Sequence, residues 1–347
     1  MSAREALLTA AILALGGCVV SGEPVAGGGA DAGLTDAEVE GCPVAIVPVL
    51  HTAPIFLFYG AYQPNPGWTP RADAASTLSL LGTGEPVLAL RRPDTCAATE
   101  PELQPWQQGG GLIAHVMSED ELLPRLADGT AAATITSLLE RGYAYVAIDE
   151  LHAELPELRD GQWGAAAFAA LLDQLAAAGL DRRVILYVNS YNLVGQLGSY
   201  RQVLAACRDH CRVLASEIYL HTQYVFAPAA ETPGHCTRST DCFESIAAEM
   251  GAAAPGINHR SITVLAIADE FNQNRIDSLC EREGGLAGGL YVQYGRLHSG
   301  TLTRLQPGVG VYTPARVDRR RHPAWGPREQ AACLRRLDGW LYWPDAH

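Results

Sequence analysis

The sequence contains no lysine, so all 25 of its basic residues are arginine. Schiff-base catalysis, lysine general bases and P-loop nucleotide binding each need an ammonium that can deprotonate or reach a phosphate, and are excluded. Other patterns are missing too. There is no Gly-x-Gly-x-x-Gly, no Gly-x-Ser-x-Gly and no His-Glu-x-x-His, which removes the dinucleotide-binding, serine-hydrolase and helical zinc-protease signatures. A net charge of −13 opposes binding to phosphate backbones, which depends on clustered cations. No nucleic-acid partner is expected.

What is present begins with a targeting segment. Arg4 precedes an apolar run from Ala6 to Leu15, followed by Leu15-Gly16-Gly17-Cys18. The run is too short to span a bilayer as a helix. The four-residue motif resembles the lipobox of bacterial lipoprotein signal peptides. That resemblance implies that residues 1–17 are removed, that Cys18 carries a lipid, and that the protein is exported and anchored to the cell envelope. Val19, in place of aspartate, favours the outer membrane. Residues 18–41 are Gly, Ala and acidic residues without periodicity and read as a flexible tether with a mean reach of about 25 Å. Residues 42–347 then form one domain. In an oxidising compartment the remaining eight cysteines suggest disulfides, with Cys236–Cys242 the favoured pair. Cys207 and Cys211, flanking His210, are read as a disulfide, free thiols or a metal site.

Beyond the tether, short β-branched and aromatic runs alternate with helical patterns, as a parallel α/β fold requires. Eight strands are expected: 55–61, 86–91, 112–117, 143–150, 183–190, 212–219, 261–270 and 286–294. Eight units predict a closed (β/α)8 TIM barrel, whose functional groups belong at the C-terminal ends of the strands. Polar residues gather there: Tyr59, Arg91, His115, Asp149-Glu150, Asn189 with Tyr191, Glu217 with Tyr219, Asp269-Glu270, and Gln293-Tyr294. The strand starts read as poor in polar groups, so the mouth is the expected binding site. Tyr and Trp rings there, with Trp68 and Trp106 in the loops, suit stacking on sugar faces.

Strand alternation turns Glu217, Glu270 and Asp149 into the lumen and leaves Glu150 on the opposite parity. Paired carboxylates suit glycoside hydrolysis, where one donates a proton while the other acts as nucleophile or base. Here the strand ends resemble those of known glycosidases. In retaining (β/α)8 glycosidases, glutamates at the tips of strands 4 and 7 are acid/base and nucleophile, positions matched by Glu150 and Glu270, with Asp149 where that clan has asparagine. The adjacent Asp149-Glu150 is also similar to substrate-assisted hexosaminidases, in which Asp orients an acetamido group and Glu is the acid. A third barrel pattern draws its pair from strands 4 and 6, matched by Asp149 and Glu217.

The expected function is a lipid-anchored glycoside hydrolase that needs no cofactor, with carbohydrate as substrate and the membrane as partner through Cys18. The alternative is a catalytically silent barrel that binds glycan or a surface partner. A metal-dependent hydrolase using Asp149, Glu150, His152 and Glu154 is the less favoured third reading.

Overall fold

The chain divides into two units, Met1–Gly41 and Cys42–His347. The computed structural model describes residues 42, 46–60, 84–91, 96, 101, 103–218, 242–266, 281–282, 286–287 and 308–313. Eight parallel strands close into a barrel: β1 (Ile55–Gly60), β2 (Glu85–Leu90), β3 (Leu112–Met117), β4 (Tyr145–Leu151), β5 (Val184–Asn189), β6 (Val213–Glu217), β7 (Ser261–Ala266) and β8 (Gly308–Thr313). Each strand pairs with its sequence neighbour, and β8 returns to β1.

The strands read as near-continuous apolar runs because both faces are covered, as parallel sheets require. Alternation sorts them into two cores. Ile55, Leu57, Val87, Ala89, Ala114, Val116, Ala147, Ile185, Ala215 and Val264 fill the lumen. Phe56, Phe58, Leu88, Ile113, Val146, Ile148, Leu186 and Leu214 face the helices. The described helices are α1 (Gln104–Gln108), α2 (Glu119–Asp128), α3 (Ala131–Glu140), α4 (Trp163–Ala177), α5 (Ser190–Leu193), α6 (Arg201–His210) and α7 (Cys242–Ala253). Helix α2 starts on a reciprocal Ser118/Glu121 capping box and stops at Gly129, whose φ of 77° suits the left-handed cap.

Two sequence expectations need correction. The eighth barrel strand is Gly308–Thr313, whereas Leu286–Ala287 pairs antiparallel with Glu281–Arg282 outside the barrel. The glycines that hide β8 in the sequence are what let it close the barrel. A Cβ on Gly308 would lie 1.9 Å from the Ile55 carbonyl oxygen, and one on Gly310 2.6 Å from Val264 Cγ2. Gly308→Ala therefore forces the β1–β8 seam apart and should destabilise by about 1–3 kcal/mol in denaturant unfolding. An unchanged midpoint would contradict this seam.

The second correction concerns the strand starts, which are not poor in polar groups. Glu85 and Arg212 are 5% and 1% exposed and form an ion pair at 3.0 Å. The Tyr145 hydroxyl donates to Glu85 at 2.7 Å. Arg212 also donates to the Ala53 carbonyl at 2.5 Å, and Arg183 to those of Val47 and Ala144 at 2.8 and 3.0 Å. The segment before β1 thus closes the lower end of the barrel. Charge at that end stabilises, since the opposite face carries the chemistry in this architecture.

Cys42 and Cys96 form a disulfide. Cys207 and Cys211 are free and fully buried, and burial pushes the Cys211 thiol well up. Of the expected Cys236–Cys242 pair, Cys242 opens α7 and Cys236 lies outside the described residues, as does Cys18. No described helix is long and apolar enough to cross a membrane.

Candidate active site

The upper lumen is built by the last inward residues of β1, β4, β5 and β6. Tyr59, Asp149, Tyr187, Asn189 and Glu217 are all buried there, and Asn189 stands beside Glu217 in the β5–β6 register. The Tyr59 hydroxyl donates to Asp149 Oδ1 at 2.6 Å. Its ring packs on Tyr187 with centroids 4.5 Å apart and planes inclined by 38°. Burial first, then the charges of Asp149 and Glu217, push the Tyr59 phenol well above its ordinary range; the same causes, Glu217 ahead of Asp149, act on Tyr187. Both phenols therefore stay protonated and able to donate.

Glu150 reaches this cluster through a break in its strand. Between Ile148 and Leu151 the β4–β5 register shifts: Ile148 pairs with Leu186, and Leu151 with Val188. Three steps on one strand match two on the other, which is a β-bulge. Glu150 sits at the bulge with φ 39°, a left-handed conformation that costs a non-glycine residue roughly 1–3 kcal/mol and clusters at functional sites. The bulge overturns the parity expected for the tip of β4. Leu151, which strict alternation would send into the lumen, joins the apolar layer under the helices. Glu150 is freed to bring its carboxyl within electrostatic reach of Asp149 and Glu217.

Acidic groups within reach of one another do not ionise independently. Burial first and then the charge of Asp149 raise the Glu150 carboxyl above its ordinary range, and its interaction with Glu217 opposes the rise. Glu217 is fully buried, whereas Glu150 keeps partial exposure. Glu150 is thus the more accessible of the two. The Tyr187 hydroxyl and Asn189 Oδ1 are buried with no hydrogen-bond partner among the described residues. Buried polar groups are ordinarily satisfied, so these are available to a ligand or to water.

The remaining sequence candidates fall elsewhere or go undescribed. Arg91 stands near the rim, donating to Ser118 Oγ at 3.3 Å and lying 3.6 Å from Glu121. The His115 ring packs on Tyr143 with centroids 5.1 Å apart, on the β3 parity that faces the helices. Trp106, read as a mouth aromatic, is fully buried; it donates to the Leu112 carbonyl and stacks edge-on against Phe58 in the outer core. Tyr191 lies in α5 just beyond β5. Trp68, Tyr219, Glu270, Gln293 and Tyr294 lie outside the described residues. Tyr187 was not a sequence candidate, although the alternation that turns Asn189 inward turns Tyr187 inward as well. Among the described residues no cluster of His, Cys, Asp and Glu is arranged to hold a metal ion.

No protein-family model and no curated protein matches the chain. Among solved structures, an endo-beta-N-acetylglucosaminidase from Cordyceps militaris in apo form is similar with a TM-score of 0.51 and 13% identity, over 86% of this chain and 99% of that one. A GH5-4 broad specificity endoglucanase from an uncultured bacterium gives 0.47 and 9%, over 84% and 95% of the two chains. A family GH18 chitinase from Cycas revoluta gives 0.42 and 12%, over 82% and 98%. The neighbours named are glycoside hydrolases, and the likeness to the first of them shows the fold, an α/β barrel.

Proposed function

We propose that the protein is a glycoside hydrolase working by carboxylates at the C-terminal mouth of its barrel, exported and held at the cell envelope through a lipid on Cys18. The observation that carries the catalytic reading is the strained bulge at Glu150, which brings that carboxyl within reach of Glu217 and Asp149. A purely structural barrel has no need to gather three acids in its lumen at such a cost.

In this reading Glu150, whose carboxyl resists ionisation and is the more accessible of the two, holds the proton and delivers it to the leaving glycosidic oxygen. Asp149 supplies negative potential against the positive charge that develops on the sugar ring. Tyr59 holds its carboxylate in place. Tyr187 and Asn189 offer a donor and an acceptor to the sugar's substituents. Glu270, at the expected end of the next strand, remains a candidate nucleophile or base.

The test is release of reducing sugar from a panel of mixed polysaccharides and amino-sugar oligomers, comparing wild type with Glu217→Gln. Hydrolysis lost in the variant supports the reading. Equal hydrolysis by both proteins overturns the site, and no hydrolysis across the panel leaves the glycan-binding barrel in its place. For the anchor, Cys18→Ser should move the protein from the membrane to the soluble fraction of the cells.

A further inference from the structure

A residue held at φ 39° needs neighbours that over-determine it, and on the downstream side of Glu150 they converge on His152. Its carbonyl accepts from the Tyr200 hydroxyl at 3.2 Å and from the Leu155 N–H at 3.2 Å. Tyr200 is itself fully buried at the start of α6. The His152 ring accepts the Glu154 N–H at Nδ1, 3.1 Å away. That leaves the ring proton on Nε2, which faces Glu119 Oε1 at 3.7 Å, where the side chains are 16% and 31% exposed. Glu119 is the first residue of α2, and its carboxyl is held below the ordinary range by the neighbouring His152 before any other cause. One residue therefore ties the exit of the bulge to α2, to α6 and to its own turn.

We infer that His152 is a positioning residue that locks the β4 bulge and so keeps Glu150 aimed at Glu217; this rests on the reading of Glu150 as the proton donor. The groups facing its ring are Glu119 from α2, Glu150 from β4 and Glu154 from the turn. Arg91 acts on Glu119 from the end of β2, and Arg159 braces the far side by donating to the Ala153 carbonyl at 3.1 Å and to the Tyr200 hydroxyl at 3.4 Å. Glu150 takes its position from the bulge, and His152 holds the bulge at its exit. It acts through the backbone that carries it.

The experiment is a cycle of four full-length proteins: wild type, Glu150→Gln, His152→Ala and the double variant. Thermal midpoints are read at pH 4 and pH 7. In the wild-type background, Glu150→Gln should raise the midpoint more at pH 7 than at pH 4, because it removes a carboxyl that resists ionisation. If His152 aims Glu150, that pH-dependent gap closes in the His152→Ala background, and His152→Gln, which keeps an N–H toward Glu119, recovers it. On a cleaved glycoside kcat should fall on the order of 10²-fold in His152→Ala with little change in KM, the loss expected from misplacing a reacting group by about 1 Å.

A gap that persists undiminished in His152→Ala overturns the inference, as does a gap lost in the alanine variant and not recovered by glutamine. Should His152→Ala fail to fold, Glu119→Ala removes the same tie from the other side and carries the same cycle. If wild type cleaves no glycoside, the catalytic reading fails while the thermal cycle still decides whether His152 positions Glu150.

Discussion

Glu150→Gln is expected to lower kcat on a cleaved glycoside by about 10²- to 10⁴-fold, the share general acid catalysis ordinarily supplies, while binding of the substrate is largely kept. The same substitution should make the protein harder to unfold at neutral pH. Glu150's carboxyl is raised above its ordinary range in the folded chain by burial first and by the Asp149 charge second. A group with a raised folded pKa contributes stability that is fully present below its unfolded pKa, about 4.3 for glutamate. That contribution is lost as pH rises through the folded value. As pH rises the wild-type protein therefore bears the cost of charging a buried carboxyl beside Asp149, and glutamine does not. The midpoint gain should be larger at pH 7 than at pH 4. Activity of the wild type should decline as pH rises through the folded value, because Glu150 loses its proton. A variant that loses activity and stability together at pH 7 would place Glu150 in the framework and not in the chemistry.

Arg212→Met should be the most destabilising single change at the other end of the barrel. The guanidinium is almost wholly buried and donates to Glu85 and to the Ala53 carbonyl, so its removal leaves Glu85 buried without its cation. Breaking a buried pair from one side costs about 3–5 kcal/mol. Glu85 would retain the Tyr145 hydroxyl and the Leu50 N–H, which softens the loss without cancelling it. The pair as a whole is worth less than either half suggests, since desolvating two charges consumes most of their attraction. Arg212→Met combined with Glu85→Gln should then recover a good part of the loss. Chemical denaturation of the single and double variants checks both statements; a double variant as unstable as the sum of the singles would contradict them.

The barrel was legible because a parallel strand buried on both faces leaves an apolar run that little else in a sequence imitates. Seven of the eight strands carry such runs. The eighth, Gly-Val-Gly-Val-Tyr-Thr, does not, because the space between β1 and β7 is too narrow for side chains at two of its inward positions. A glycine there reads as a turn until the neighbouring backbone is known. The polar lower end was missed for a related reason: Glu85, Arg183 and Arg212 look like solvated strand starts unless the segment before β1 is seen to fold under them. In the site, simple alternation turned Asp149 and Glu217 inward, and the structure places both in the lumen. Glu150 was not legible by that rule. Its orientation depends on an extra residue in the ladder, and strand pairing between distant segments leaves no local mark in the chain.

The bulge in β4 also has a meaning for the strand's length. Counting from Tyr145, the strand keeps one phase up to Asp149 and the opposite phase from Leu151 onward, so Glu150 behaves like an inserted letter that shifts a reading frame. Substituting it alters one side chain. Deleting it would restore plain alternation, with Leu151 following Asp149 and still facing the helices, and would remove the one position from which the strand tip presents a second carboxylate. The extra residue therefore serves the site and not the packing, and a strand transplanted from another barrel without it would match the fold and lack the chemistry.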